Sequence, residues 1–432
     1  MFYAGWDLLG ARELKPERRI DSKTLFDLVK LAFGVVAGAG ALVALIVAYR
    51  RQRVDEDGAL RDTTRLHTER FTTAVSQLGE ESAAVRLGGV HALAGLADDA
   101  PTRDLRQTCI DVLCAYLRLP YTAETALPSD DPQARHTYLA LREVRHTVIR
   151  LIRDHLCLDA DHPHCWCGHD LNFTGTVFDG ADFRGAVFSS GTVAFTEAEF
   201  SGGTADFRGV VFSGAAVDFC LAVFSGGTLD ARGAKFSDGR IDFYGAEFSG
   251  CLVHFSRTEF SGSTVGFMST VLSDGLVEFV GAQFSAGTVD FRGVVLSGGR
   301  LAFTDAVFSG STVDFHSAEF SGSDVEFRRA KFSGGTVRFI YADFSGGTVS
   351  FVRARFSGGM VTFTEAEFSA GTVDFSDAVY WRGTVDFSDA EFSGGTVDFR
   401  SMRGKTPSGV VPPAGSPLPE GLILAEDWAA RS

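Results

Sequence analysis

The sequence predicts a mainly β protein: a β-solenoid in the C-terminal half, preceded by one membrane-spanning helix and a small α-helical domain. Three observations predict the solenoid. Phenylalanines recur at alternating steps of five and seven residues, an aliphatic or small residue stands two positions before most of them, and Ser-Gly or Gly-Gly pairs separate the short segments. Side chains two apart share one face of a strand, and glycine permits turns with positive φ. Such a chain must coil around a column of buried phenylalanines.

The phenylalanines form two ladders, each with a period of twelve residues. The first ladder, residues 188 to 392, has Phe at fifteen of its eighteen positions, and the second, residues 195 to 399, has Phe at seventeen of eighteen. The exceptions are Leu272, Leu296, Tyr380 and, in the second ladder, Ala231. We expect both ladders to be core, and we expect Ala231 to leave a local hole.

Tandem units such as GADFRGAVF at 180–188 resemble those of the pentapeptide-repeat family, over residues 169–400. The resemblance implies a right-handed, four-sided β-helix with one pentapeptide per face and its central Leu or Phe inside. Every second unit here carries two extra residues, so four faces need about twenty-four residues per coil, and the GGT insertions should bulge at two opposite corners. Leu272 and Leu296 are two twelve-residue periods apart and should stack on one another.

The net charge of −15 is concentrated on the predicted solenoid, where residues 170–400 hold 29 acids and 16 bases, a difference of −13. We expect the acids of the repeat to point outward. Examples are Asp206, Asp218, Asp242, Asp290, Asp314 and Glu199. An acidic solenoid repels the phosphate backbone, so the charge argues against direct nucleic-acid binding.

Residues 31–49 predict a single transmembrane helix that follows an N-terminal flank, residues 1–30. The segment has nineteen residues without a charge, enough for about 28 Å of helix. Basic residues bracket it at Lys30 and at 50–53. A cleaved signal peptide does not fit, because the apolar run starts too late and small residues do not follow it. A buried helix of a soluble domain is the alternative.

The sequence predicts a single-pass protein of the cell membrane with its C-terminal part in the cytoplasm. Both flanks of the helix are basic, so the prediction depends on the seven cysteines, which show no repeating disulfide pattern and favour a reducing compartment. Gly34 and Gly38 form a small-xxx-small step, which suits a homo-oligomer paired through this helix. The alternative is a helix that is simply rich in small residues.

Residues 50–157 predict an α-helical domain that spaces the solenoid from the bilayer and covers its first coil. Within it, the stretch from Arg70 to Asp99 resembles the segment that precedes the repeats in membrane-anchored bacterial, particularly actinobacterial, pentapeptide-repeat proteins. Residues 158–168 form a junction loop. The tail, 401–432, is Pro-rich, and we expect a short helix anchored by Trp428 to cap the last coil.

The junction loop contains the one candidate metal site. Tetrahedral zinc accepts Cys and His ligands, and the candidates are Cys157, Cys165, Cys167 and His169. A single C-x-C lacks the two separated pairs of a strong zinc signature, so a polar loop with incidental cysteines is the competing interpretation. We assign no metal, cofactor or catalytic residues.

Two functions compete at this stage. The first is a non-enzymatic, membrane-tethered scaffold for a protein partner that the sequence does not identify, and simple shielding of the membrane surface is a variant of it. The second is a DNA mimic that modulates a type II topoisomerase, which the resemblance to the family and the acidic charge permit. No motif for phosphate binding or nucleophilic catalysis supports an enzyme.

Overall fold

The computed structural model describes residues 21–128, 130–412 and 416–429. The chain divides into two compact units at residues 68 and 69. Most of the predicted N-terminal flank, residues 1–20, lies outside the described residues.

Helix α1 (Ser22–Leu78) contains the predicted membrane-spanning segment. Within the described ranges it is the one helix long and apolar enough to cross a membrane, by length and composition. Its most apolar stretch is fully exposed, and Phe33, for example, is 71% exposed. The helix continues beyond residue 49, the last residue of the predicted membrane-spanning segment, because the polar residues that follow are good helix formers and no glycine or proline pair interrupts them.

The helical part of the second unit consists of the end of α1 and three further helices: α2 (Ala83–Asp98), α3 (Arg103–Leu117) and α4 (Pro132–Leu156). A 3-10 turn at Glu124–Ala126 precedes α4. Polar side chains cap α3 and α4. Thr102 accepts a hydrogen bond from the amide of Leu105, and Asp131 accepts bonds from Gln133 and Ala134.

Close packing of α1 on α2 requires a glycine. A Cβ added at Gly89 would lie 2.9 Å from the carbonyl oxygen of Ala74, which is too close for two non-bonded atoms. The buried side chains of Val90, Leu93 and Val148 fill the space between the helices.

The C-terminal part is a parallel β-solenoid of about ten coils. Three sheets form its faces. The first sheet, of 16 strands, contains β1 (Leu171–Asn172), β4 (Val187–Phe188), β5 (Thr192–Ala194), β8 (Val211–Asp218), β11 (Lys235–Asp242), β14 (Glu259–Gly266), β17 (Gln283–Asp290), β20 (Val307–Phe308), β21 (Thr312–Asp314), β24 (Lys331–Phe332), β25 (Thr336–Arg338), β28 (Arg355–Phe356), β29 (Met360–Thr362), β32 (Val379–Tyr380), β33 (Thr384–Asp386) and β36 (Arg403–Gly404).

The other two sheets each take one short strand per coil. The second sheet, of 11 strands, contains β3 (Ala181–Asp182), β7 (Thr204–Asp206), β10 (Thr228–Asp230), β13 (Cys251–His254), β16 (Gly275–Glu278), β19 (Arg300–Ala302), β23 (Asp324–Glu326), β27 (Thr348–Ser350), β31 (Thr372–Asp374), β35 (Thr396–Asp398) and β37 (Leu422–Ile423). The third sheet, of 10 strands, contains β2 (Val177–Phe178), β6 (Glu199–Phe200), β9 (Val223–Phe224), β12 (Glu247–Phe248), β15 (Val271–Leu272), β18 (Val295–Leu296), β22 (Glu319–Phe320), β26 (Asp343–Phe344), β30 (Glu367–Phe368) and β34 (Glu391–Phe392).

The strand register confirms the predicted coil length of about twenty-four residues. Phe236 pairs with Phe260, and Leu272 pairs with Leu296 as expected. The first coil is two residues shorter, since Leu171 pairs with Val193. It lacks the two inserted residues between β2 and β3, so one of its corners is tighter than the same corner in every later coil.

The two ladders of phenylalanines form the core, as predicted. Every ladder phenylalanine is buried except Phe392, which is partly buried. Rings at equivalent positions of successive coils stack almost parallel. Those of Phe260 and Phe284 have centroids 4.8 Å apart and planes 1° apart. The ring spacing equals the strand spacing of about 4.8 Å, so hydrogen bonding and ring stacking favour the same rise per coil.

The inserted residues form two corners of each coil. At one corner the long strands β8, β11, β14 and β17 continue from one face to the next. The pairing of β8 with β11 and of β14 with β17 shows register shifts there, which is the predicted bulge. At the other corner the chain leaves the third sheet and enters the second. Glycine is required where corners stack: Gly335 has φ +70°, and a Cβ there would overlap the carbonyl oxygen of Ser311 in the coil before.

Coil pairing continues past residue 400, into the Pro-rich tail. Strand β36 pairs with β32, and β37 pairs with β35. Helix α5 (Glu426–Ala429) follows, and the buried Trp428 lies on Phe399 with 5.7 Å between ring centroids. The last coil is therefore closed by an apolar side chain.

Ala231 leaves the hole that the ladder predicts. A cavity of about 20 Å³ lies beside it, and Phe219, Phe243 and Phe255 are among the apolar residues that line it. Replacing Ala231 with Phe should restore the column and raise the free energy of unfolding by about 1–3 kcal/mol. The matched change, Phe303→Ala, removes a ring stacked on both sides and should lower it by about 3–5 kcal/mol.

Urea denaturation of both variants, followed by circular dichroism, measures these changes. If Ala231→Phe lowered stability as Phe303→Ala does, the aromatic column would not be continuous at this coil.

Candidate interaction surface and its caps

The acids that precede second-ladder phenylalanines do not simply point outward, which corrects our expectation. The side chain of Asp206 accepts a hydrogen bond from the amide of Arg208, and Asp290 accepts one from Arg292. Asp218, Asp242 and Asp314 bond the amide two residues on in the same way. These carboxylates close the turn between two strands, and Asp290 is buried.

Several of these turn carboxylates are also paired with arginine. Asp230 is bound by Arg232, and Asp398 by Arg400. Burial opposes ionisation of both carboxyl groups, yet the hydrogen bonds from the arginine side chains and backbone amides outweigh it and lower the pKa of each. Part of the acidic charge of the repeat is therefore paired within the fold, and the excess of 13 acids over bases in residues 170–400 remains.

Most acids in the third sheet remain exposed. Glu199 is exposed, as predicted, and so are Glu319, Glu367 and Glu391. They occupy the position just before a first-ladder residue, so their side chains lie on the opposite face of the strand from the core. Free negative charge is thus confined to particular columns of the surface.

The helical domain covers the tight corner of the first coil. Asp179, in the shortened link between β2 and β3, is buried and accepts hydrogen bonds of 2.6 Å from the hydroxyl groups of Tyr121 and Tyr138. Its other carboxylate oxygen lies 3.4 Å from Nε2 of His146. The Nε of Arg142 lies 3.6 Å from the carboxylate oxygen that the two tyrosines bind. Four side chains from the α3–α4 connection and α4 thus converge on one acid of the first coil.

These contacts keep Asp179 ionised. Burial acts to raise its pKa, but the hydrogen bonds from His146, Tyr121 and Tyr138 outweigh burial and hold it far below the ordinary range. Burial and the same carboxylate raise the pKa of Tyr138 to about 12. The tyrosines therefore stay protonated and remain donors.

Two arginines of α4 also bind this end of the solenoid. Arg145 donates to the carbonyl oxygens of Leu117 and Val177 at 2.6 and 2.7 Å. Arg153 pairs with Asp182 of β3. Val177 lies in the first coil, so no preceding coil donates to its carbonyl oxygen, and Arg145 takes that place. The cap therefore protects an open sheet edge.

The junction loop is held to the helical domain by Asp98. Its carboxylate accepts a hydrogen bond from the indole nitrogen of Trp166 at 3.2 Å and lies 3.1 Å from Nε2 of His155. Trp166 is fully buried and stacks on His155, with 4.1 Å between ring centroids. The loop therefore acts as part of the cap.

The structure does not bring the candidate zinc ligands together. Cys165 and Cys167 form a disulfide, Cys157 contacts the carbonyl oxygen of Arg184, and both ring nitrogens of His169 are buried without a hydrogen-bond partner. Burial lowers the pKa of His169, which favours the neutral ring. Within residues 21–128, 130–412 and 416–429, no group of three or more His, Cys, Asp or Glu side chains could hold a metal ion.

Sequence reasoning missed the cap residues Asp98, Tyr121, Tyr138, His146 and Asp179. One signal was available for Asp179: it stands where the repeat loses its two inserted residues, between Phe178 and Ala181. The residues of the helical domain carry no comparable signal, because they lie outside the repeat.

Replacing Asp179 with Asn should lower the free energy of unfolding by about 1–3 kcal/mol, because a buried ionised acceptor of several hydrogen bonds is lost. The wild-type carboxylate has a depressed pKa in the folded state, so its contribution is present above the unfolded pKa of about 3.9 and is lost as pH falls below it. The variant should therefore lose less stability than the wild type on acidification below about pH 4.

Denaturation at pH 7 and at pH 3 checks this, with Asp161→Asn, an exposed residue of the junction loop, as the control. Equal acid sensitivity of wild type and Asp179→Asn would contradict the assigned role.

Comparison with known families identifies the repeats. The family described as "Pentapeptide repeats" matches in nine copies, over residues 173–220 and 315–367. Comparisons with curated proteins and with solved structures each found no significant match. Both matched stretches belong to the parallel solenoid, whose coils place one strand segment on each side and the Phe of each unit inside. Within residues 173–220 and 315–367 the solenoid is therefore similar to the pentapeptide-repeat family.

Proposed function

We propose that this protein is a non-enzymatic interaction scaffold that the apolar part of α1 tethers to a membrane. One observation carries the proposal: coil-to-coil pairing is continuous from β1 to β37, so outward side chains recur at a fixed spacing along the whole solenoid. A flat surface with regular spacing suits an extended protein partner. In repeat proteins generally, such surfaces serve binding.

The serines of the repeat also favour a structural role over catalysis. Ser237, Ser285 and Ser333 each donate a hydrogen bond of 3.3 Å to the carbonyl oxygen of a phenylalanine in the preceding coil. These three serines lie in every second coil, and a hydroxyl group used in this way links neighbouring coils.

Cross-linking tests the scaffold. Leu221 and Tyr341 lie in one outward column, five coils apart, and are 51% and 52% exposed. A photoreactive amino acid at either position of the membrane-embedded full chain should give a discrete product with the same protein partner. Failure of both positions to yield any protein product would contradict the scaffold.

Deletion of residues 31–49 tests the tether. The full chain should sediment with membranes and resist extraction by alkaline carbonate, because about 28 Å of apolar helix matches the hydrocarbon core. The deletion should move the protein to the soluble fraction. A matched deletion of nineteen residues from the polar part of α1 should leave it in the membrane, and a soluble full chain would refute the tether.

We further propose that the solenoid is on the cytoplasmic side. Five of the described cysteines are free thiols, which suits a reducing compartment, although Cys165 and Cys167 form a disulfide. A C-terminal tag should resist protease in intact cells and become sensitive after lysis. Digestion in intact cells would place the solenoid outside.

A DNA mimic that modulates a type II topoisomerase is the second candidate, favoured by the acidic charge of the solenoid. Against it, carboxylates such as those of Asp206, Asp230 and Asp290 are bound to turn amides and arginines. We expect the detergent-solubilised full chain not to inhibit supercoiling by gyrase at micromolar concentration. Inhibition that salt relieves would favour this candidate over the scaffold.

A further inference from the structure

The first sheet carries exposed bases at one outward position of successive coils. This basic ladder consists of Lys331, Arg355 and Arg403, with Val379 between the last two. The strand register places Lys331 beside Arg355, Arg355 beside Val379, and Val379 beside Arg403. Over the described part of the chain, none of these three bases has an ion-pair partner.

Next to the basic ladder the repeat is interrupted by an exposed tryptophan. Trp381 is 64% exposed and occupies a corner position at which the two coils before it have Ser333 and Ser357. Exposed Arg382 and Lys405 flank it. The core does not need this indole, since the preceding Tyr380 fills the ladder position. A large apolar ring among unpaired cations is typical of the centre of an interface.

The third sheet carries the opposite charge at the same coils. This acid ladder consists of Glu319, Asp343, Glu367 and Glu391, which the strand register places one beside the next. Three of them are exposed, and Asp343 is half-buried. No base pairs with any of the four among the residues that the structure describes.

The two ladders lie on opposite sides of the solenoid at matching heights. Glu319 precedes Lys331 by twelve residues, half a coil, and Glu391 precedes Arg403 by the same distance. In both ladders the rungs are about 4.8 Å apart, because the same backbone hydrogen bonds set the rise of each coil. The spacing of one ladder therefore matches the spacing of the other without an accumulating mismatch, and in this register Glu367 alone faces a neutral residue, Val379.

We propose that the partner of this surface is a second copy of the chain, with the basic ladder of one copy against the acid ladder of the next. This inference rests on the proposed scaffold role and names one partner for it. The contact joins two different patches, so each copy keeps one unused face and association continues sideways. Exposed ion pairs are individually weak and screened by salt, so several rungs and Trp381 must act together.

Substitutions that neutralise one face at a time test the contact in the full chain in detergent. Wild type should form a concentration-dependent series of oligomers at about 0.05 M salt that dissociates at about 0.5 M. The basic-face variant, Arg355→Gln with Arg403→Gln, should associate at least tenfold more weakly. The control, Arg257→Gln with Arg328→Gln, has the same change in charge at exposed positions that form no ion pair with any described residue, and it should associate as wild type does.

The acid-face variant, Glu319→Gln with Glu391→Gln, should also lose the series, because these two acids face Lys331 and Arg403 in the matching register. A mixture of the two variants should form dimers of one copy each and stop there, because only one complementary pair of faces remains. Light scattering coupled to size-exclusion chromatography measures all of these sizes, and circular dichroism checks that each variant is folded.

Trp381→Ser provides a test that leaves every charge in place. Serine is the residue of the two preceding coils at this corner, so the fold should accept it, and association should weaken about tenfold. In the wild type, Trp381 fluorescence should shift to shorter wavelength as oligomers form, since the indole becomes buried.

Several results would overturn the proposal. One is an identical size distribution for wild type and both face variants. Another is an equal loss of association in the Arg257 and Arg328 control. The third is a monomeric wild type that instead binds anionic vesicles through the basic face. None of these results would affect the fractionation or cross-linking tests of the tether and scaffold, so the two proposals fail separately.

Discussion

The fold depends on one constraint: backbone hydrogen bonds and aromatic stacking must share a single rise per coil. Strands of successive coils pair in register, and the rings between them stack at the same interval, as with Phe260 and Phe284. Because the rise is fixed, every surface position recurs directly above its equivalent in the preceding coil. Any residue type that the repeat favours therefore becomes a column along the surface, and interaction surfaces arise from the same periodicity that builds the core.

The same constraint leaves two open ends. A coil in the middle satisfies its strand edges with its neighbours, but the first and last coils have a neighbour on one side only. The chain closes each end where the repeat changes. At the first coil a corner is shortened, and Asp179 there receives Tyr121, Tyr138 and His146. At the last, Trp428 covers Phe399. The departures from the repeat mark the ends of the solenoid.

The periodic part of this fold could be predicted from the sequence, and the caps could not. The coil length, the buried ladders and the hole at Ala231 follow from spacing alone, because each coil repeats the environment of the last. The bonds to Asp179 join residues 58 and 41 positions apart that share no pattern. The turn acids were misplaced for another reason: alternation shows that Asp206 leaves the core, but it does not show that the side chain folds back onto the amide of Arg208.

Net charge is consequently a poor guide to what the solenoid binds. The total of −15 already counts the arginines, and it does not show which carboxylates are bound to amides and arginines of their own turns. A partner contacts the charged side chains that are exposed and unpaired, and these are unevenly distributed over the described surface. The acids Glu367 and Glu391 lie on the third sheet, and the bases Arg355 and Arg403 lie on the first. Two faces of opposite charge and equal spacing favour a partner whose charges have the same spacing. A second solenoid has this spacing already. A flexible acidic or basic segment would first have to be ordered, which costs conformational entropy.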